Sequence, residues 1–422
     1  MSSSFQTRRP KIWWSNGGFF VAAHVIAMVG MYYKPFYAVP RATLVLAFVL
    51  WQLAEFGITI GYHRLWSHRA FRATLGARVV LAVLGSSAFQ GSIKNVRSLT
   101  LSITQWWCLR HRLHHRFTDD PVHDPYSATR GLLFSHVGWI FFKPVYEKMS
   151  LVDREDLEND PVVAWQHKYF VLLAFGLGLG FPTLLGALWG DALGSFIWAG
   201  LTARIFIWHC TFLVNSLAHW DGLQPYSDEN TSRGNFILAV LTAGEGNHNF
   251  HVRKAGDLNH AFPHDFRSGP SWLDWDPSKW IILGLHKLGF VYSLRTAREV
   301  DIEDAREYMR EKGHHHMHDK EGEADGAEWT GEVWSREDME RYVEEKPERC
   351  VLVLDGFLVD ATAYMKEHPG GSQLLRGYSI RQRKPDSDER WRDASWAFDG
   401  GLNNHSRAAK KRLAELRIAR LT

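Results

Sequence analysis

Four long apolar stretches, several histidine clusters near their ends and a polar C-terminal quarter with strand-like runs predict the fold class. The expectation is an all-α integral membrane bundle of four spans with a histidine-rich cap on one side, followed by a small α+β unit. A chain of 422 residues is long enough for two or three structural units. At 45% hydrophobic and 14% aromatic it is too apolar for a disordered protein. The balance of 49 basic and 46 acidic residues, net +3, argues against a dedicated nucleic-acid binder. Cys108, Cys210 and Cys350 are too few and too scattered for a disulfide framework or a CxxC metal site.

The first span is expected over residues 17–33, preceded by Arg8, Arg9 and Lys11 and followed by no convincing signal-peptide cleavage site. A short connector leads to the second, 42–60, and the two read as a transmembrane hairpin. Trp13, Trp14, Tyr32, Tyr33 and Tyr37 suit the interfacial belts at its ends. The apolar stretch 75–89 is short and rich in small residues, so it predicts an interfacial or buried helix. Spans three and four, 169–188 and 193–214, flank the turn Trp189-Gly190-Asp191. This arrangement puts residues 61–167 and everything after 215 on one face of the membrane. The basic loops make that face cytosolic, with both termini on it. Glu55, inside the second span, should face the bundle interior or a polar cavity, in a structural role. The membrane domain is expected over 1–302. Residues 303–327, charged and carrying His314, His315, His316 and His318, read as a solvated helix or linker. A second unit, 328–422, has the run 350–354 and then a turn at Asp355-Gly356.

Of the 22 histidines, eight stand beside span ends on the cytosolic side. His63 and His68 form an HxxxxH after the second span. His111, His114 and His115 form an HxxHH expected to share one helix face, His248 and His251 form an HxxH, and His219 closes the fourth span. One such pair is weak evidence, but eight imidazoles exceed what one tetrahedral zinc needs and suit two nitrogen-ligated ions of iron, zinc or copper. Asp119, Asp120 and Asp124 are candidate acceptors that fix histidine tautomers.

The motifs HRLWSHR, HRLHHRFTDDPVHDPYSATRG, NSLAHWDG and GEGNHNFH together resemble the integral-membrane stearoyl-CoA (delta-9 acyl-CoA) desaturases, across most of the membrane half. That resemblance implies a mushroom-shaped four-span bundle, a cytosolic di-iron cap and a bent acyl tunnel. It implies two non-haem irons held by His63, His68, His111, His114, His115, His219, His248 and His251, with Asn215 reaching one metal through water. The implied reaction uses O2 to place a cis double bond in a saturated fatty acyl-CoA, stearoyl or palmitoyl, in the endoplasmic reticulum membrane. Trp51, Phe56, Phe212 and Leu213 are candidates for lining the tunnel. Two segments interrupt the pattern, 95–105 and 252–259, and both read as gene-model or splicing insertions. Removing the second restores HxxHH and makes His260 the ninth ligand.

In the C-terminal unit His368 opens His-Pro-Gly-Gly, where Pro-Gly-Gly forces a turn behind the ring, and His405 follows downstream. The pattern resembles a cytochrome b5 domain, fused at the C-terminus as in fungal desaturases, with His368 and His405 as axial ligands of haem b. Two imidazoles fill both axial sites, so such a haem shuttles single electrons. No dinucleotide-binding fingerprint is present, so the electrons would come from a separate NADH-cytochrome b5 reductase. The rival readings are a membrane di-iron fatty acyl or sterol hydroxylase, and a non-catalytic membrane haem protein should the insertions spoil the iron site.

Overall fold

The computed structural model describes residues 11–93, 107–251, 262–315, 329–365, 368, 372–380, 394–398 and 412–421. Both interrupting segments, His260 and His405 lie outside the described residues.

Among the described residues, four helices are long and apolar enough to cross a membrane: Trp14–Tyr33, Arg41–Ser67, Pro161–Ala187 and Ala192–His219. Each of the last three runs past its apolar stretch into the cap. The third starts eight residues before the expected 169, because Asp160 caps it through Val162 N and Pro161 occupies its first turn. Its polar Gln166 does not end it, since that side chain is buried and donates to Tyr62 Oη and Ser86 Oγ. The fourth span is the most central, 56% buried against 17% for the first. The two hairpins are tied together at the far end. There Thr43 Oγ1 donates to Asp191 Oδ2 (2.7 Å), and the Lys34 ammonium lies 3.6 Å from the same carboxylate.

The second span changes pitch. Residues Arg41–Phe56 are α-helical, and Gly57–Ser67 continue as a wholly buried π-helix. Glycine permits a close crossing here: a Cβ on Gly57 would stand 2.2 Å from Gly85 N, on the short buried helix Leu75–Ser87. A second buried link is Arg204, whose guanidinium donates to Ser87 O and Leu50 O rather than to a carboxylate.

The cap holds the helices Trp107–Arg116 and His248–His251, with helix Pro277–Lys287 behind them. Helix Glu299–His315 overlaps the start of the expected solvated helix or linker, and its Ile302 and Ala305 are buried beside Phe250 and Phe262. The C-terminal unit is α+β as expected. Its four-stranded sheet runs in the order Val333–Trp334, Arg417–Leu421, Phe357–Asp360, Val351–Leu354. Asp355 and Gly356, both at positive φ, make the tight turn of its hairpin.

Candidate metal centre and acyl cavity

Five steps along an α-helix rotate a side chain by about 500°, leaving residues i and i+5 roughly 140° apart. His63 and His68 would then point away from each other. The π-helix removes that obstacle: His68 N–H bonds His63 O at 3.0 Å, so the two residues stand one turn apart. Their rings lie 4.7 Å apart.

The eight expected histidines form two groups, and within each the ligand atoms lie within 4.8 Å of one another. His63, His68, His111, His115 and His251 make the first group, and His114, His219 and His248 the second. His68 Nε2 lies 2.8 Å from His111 Nε2 and 3.0 Å from His251 Nε2, and His248 Nε2 is 3.2 Å from His219 Nε2. The expectation that His111, His114 and His115 share one face is corrected. His111 and His115, four residues apart, serve the first group, and His114, about 100° round the helix from His115, serves the second. His251 and His248 divide between the groups in the same way.

Carboxylates set several tautomers. His114 Nδ1–H donates to Asp124 Oδ1 at 2.8 Å, and Asp124 is itself held by the amides of Asp119 and Tyr126. His219 Nδ1–H donates to Thr231 Oγ1, which donates to Asp119 Oδ1. Both leave Nε2 with its lone pair directed to the second group. Asp120, the third expected acceptor, instead takes a bond from His123 and the amide of Val122. Glu245, three residues before His248, escaped the sequence reading although it stands inside the GEGNH motif. Its Oε1 lies 3.1 Å from His63 Nδ1 and accepts from Arg64 Nε and Nη2. Burial pushes the Glu245 carboxyl up, but His63 and Arg64 more than offset this and hold it down to about 2. Arg64 also donates to Asp276 Oδ2 and Phe266 O, so one buried cation pins the second span to the loop beneath the third histidine motif.

Burial first, and then neighbouring imidazoles, hold His68, His111, His115, His248 and His251 well below the usual histidine range. At neutral pH these rings are uncharged lone-pair donors. Both ring nitrogens of His115 and Nδ1 of His248 are buried without a hydrogen-bond partner among the described residues. Leaving such atoms unpaired is costly, and a cation would satisfy them. The donor set, nitrogen-rich and neutral with carboxylates behind it, fits transition-metal ions.

A cavity of about 800 Å³ begins at His63, His111, Asn215 and Glu245. Phe20, Phe89, Phe175, Trp208 and Phe212 form its apolar walls, and Arg110, Lys143 and Lys168 line it too. Asn215 is one helical turn before His219, on the same face of the fourth span. Gln90, Trp107 and Thr211 also line the cavity and are bonded in series: Trp107 Nε1 donates to Gln90 Oε1, and Gln90 Nε2 donates to Thr211 Oγ1. Of the four apolar residues expected to line a tunnel, only Phe212 does so. Trp51 packs on Phe48 and Phe206 instead. Phe56 packs against the buried core, and Leu213 is not among the lining residues. Glu55 faces inward as expected, 2% exposed and on the cavity wall.

No protein-family model matches the chain. Individual relatives are clear. A probable acyl-CoA desaturase of Schizosaccharomyces pombe is 35% identical over 396 residues, covering 94% of this chain and 74% of the relative. Acyl-CoA desaturase 1 of Saccharomyces cerevisiae is 34% identical over 397 residues, 93% of this chain and 71% of its own. The chain belongs to the acyl-CoA desaturase family. Human stearoyl-CoA desaturase 5 is 34% identical over 304 residues, which is 70% of this desaturase and 84% of the human protein. The two yeast alignments therefore take in nearly the whole desaturase chain, and the human one only the length of its membrane half.

Proposed function

We propose that this desaturase introduces a cis double bond at the delta-9 position of saturated fatty acyl-CoA, stearoyl or palmitoyl, at the expense of O2 and two external electrons. The observation that carries the reading is the convergence of eight histidines into two groups at one end of a largely apolar cavity. Family membership joins it.

The two groups would hold two iron ions. The first has His63, His68, His111, His115 and His251 as ligands; the second has His114, His219 and His248, with Asn215 through water and His260 as further members. Iron bound there would supply the oxidising power that an unactivated methylene requires. The chain's own residues do the rest. Asp124, and Asp119 through Thr231, keep His114 and His219 in the tautomer that presents Nε2. The aromatic walls exclude water and hold the chain, while Gln90, Trp107 and Thr211 brace the wall beside His111 so that one carbon pair is presented. Lys143 and Lys168 on the same cavity suit the phosphates of CoA.

The C-terminal unit would be the electron donor, a cytochrome b5-like domain with haem b between His368 and His405. Its sheet and hairpin, and yeast alignments reaching into this region, support that reading. Tethering raises the donor's effective concentration at the metal site. NADH-cytochrome b5 reductase would recharge it. The enzyme would be a multi-pass protein of the endoplasmic reticulum membrane, both termini cytosolic.

The test is fatty-acid analysis, with double-bond position, of a yeast that lacks its own delta-9 desaturase and expresses this chain. Palmitoleate and oleate are expected. Hydroxylated acids in their place would overturn desaturation, and a product only after removal of 95–105 and 252–259 would mark those segments as spurious.

A further inference from the structure

Glu55 lies inside the second span, is 2% exposed and lines the acyl cavity. It stands eight residues before His63 on that span, on the order of 10 Å deeper along the axis. An ionisable side chain at such a depth is expensive and points to function. A structural carboxyl would be tied to a donor, but among the described residues Glu55 Oε2 is buried without a hydrogen-bond partner. The buried cations of the second and fourth spans are engaged elsewhere: Arg64 with Glu245 and Asp276, Arg204 with Ser87 O and Leu50 O. Other polar groups on the cavity wall are taken too. Thr59 Oγ1 donates to Thr242 O, Gln90 Nε2 to Thr211 Oγ1, and Trp208 Nε1 to Ala88 O.

Position along the cavity decides which part of a substrate meets this carboxyl. His63 and His111 mark the level of the reacting carbon pair, and Glu55 lies beyond them, deeper in the bilayer. An acyl chain with its thioester toward Lys143 and Lys168 passes the histidines first and reaches Glu55 with its methyl half. A hydrocarbon tail there would seal the carboxyl from water and leave its oxygens unpaired, which weakens binding. A hydroxyl on the tail removes that penalty whether or not the carboxyl holds its proton. It donates to the ionised group, or it exchanges one donated and one accepted bond with the acid. One polar group in a largely apolar wall also fixes where on the chain the hydroxyl must stand. Sites that bond a substrate hydroxyl discriminate against the analogue that lacks it.

We infer that Glu55 is a specificity-determining residue that binds a hydroxyl on the methyl half of the acyl chain. The cavity then takes a saturated fatty acyl-CoA hydroxylated near its methyl end in preference to the plain chain. The inference deepens the function proposed above and rests on it. Desaturation at the reacting pair is unchanged, and the substrate hydroxyl leaves the site intact.

The test uses the full chain in lipid nanodiscs and measures competitive binding of ω-hydroxypalmitoyl-CoA, α-hydroxypalmitoyl-CoA and palmitoyl-CoA. The parent should bind the ω-hydroxy chain about tenfold more tightly than the plain one. The α-hydroxy chain carries its oxygen on the CoA side of the reacting pair and should gain nothing. Glu55→Leu should abolish the preference, weakening the ω-hydroxy chain and tightening the plain one. Glu55→Gln still donates and accepts, so it should keep most of the preference. A general folding defect would weaken all three ligands together. Infrared difference spectra of the parent supply a readout that needs no folded leucine variant. The Glu55 carboxyl band, assigned by its loss in Glu55→Gln, should stand at a hydrogen-bonded frequency with the ω-hydroxy chain and at an unbonded one with palmitoyl. Equal affinities in the parent, a preference that survives Glu55→Leu, or the same carboxyl band with both chains overturns the inference. Binding is read without turnover. If no ligand yields unsaturated product the proposed function fails, and the binding result still decides the role of Glu55.

Discussion

Replacing Glu245 by glutamine keeps the shape of the site and removes one charge. That carboxylate accepts from Arg64 Nε at 3.1 Å and Nη2 at 3.0 Å and lies 3.1 Å from His63 Nδ1. Its fall from an ordinary 4.5 to about 2 is worth roughly 3 kcal/mol of stability at neutral pH, at 1.36 kcal/mol per pH unit. Mutational experience with buried ion pairs, about 3–5 kcal/mol for removing one partner, agrees. Asp276 still contacts Arg64 at 2.9 Å, which puts the expected loss at the low end. The sign with pH follows from the depressed value. The contribution is complete above the unfolded carboxyl's pKa and disappears as pH falls through that value toward 2. Glu245→Gln should therefore unfold at lower temperature than the parent by the same margin from pH 6 to 8, and by a shrinking margin below about pH 4. Because Glu245 also backs His63, metal content at limiting iron should drop about 10- to 100-fold in affinity. Thermal unfolding in nanodiscs and metal analysis check both. Equal melting at pH 7 together with equal iron loading would refute the role assigned to this carboxylate.

Asp124→Asn should cost a similar 10- to 100-fold in metal affinity, selectively at the second group, because one of the two oxygens that accept from His114 and from the Asp119 amide becomes an NH2, so His114 and that amide can no longer both be satisfied; metal titration should show one of two sites weakened. Gly57→Ala should destabilise by about 3 kcal/mol or more, since its methyl would stand 2.2 Å from Gly85 N and backbone cannot step aside; loss of folded protein from detergent extracts reads this out. Gln90→Ala should cut the ties to Trp107 and Thr211 and loosen the cavity wall, lowering turnover roughly tenfold and spreading the double-bond position in the products; chromatography of the fatty acids measures both.

The spans and the clustered histidines were legible because each leaves a local mark: a run of apolar residues, or imidazoles at helical spacing. What the sequence could not display was the pitch of the backbone between them. His63 and His68 look badly spaced for one face until Gly57–Ser67 is seen to be π-helical. His114 and His115 look like one site until the helix is placed between two partners. Glu245 was hidden for a different reason. A carboxylate earns its role from a cation far away in sequence, and Arg64 is 181 residues distant. The cavity walls were the least legible, as the fate of Trp51, Phe56 and Leu213 shows, because an aromatic side chain facing lipid and one facing substrate have the same composition.

Trp107–Arg116 and His248–His251 each contribute to both histidine groups. The separation of the groups is therefore ruled by the rotation between adjacent residues on a single rigid rod, as a vernier is ruled by its engraving. Neither site can drift, widen or be retuned without carrying the other along. Loading one metal orders half the scaffold of its neighbour, so the desaturase should fill in pairs: chains with two ions or none, and few with one.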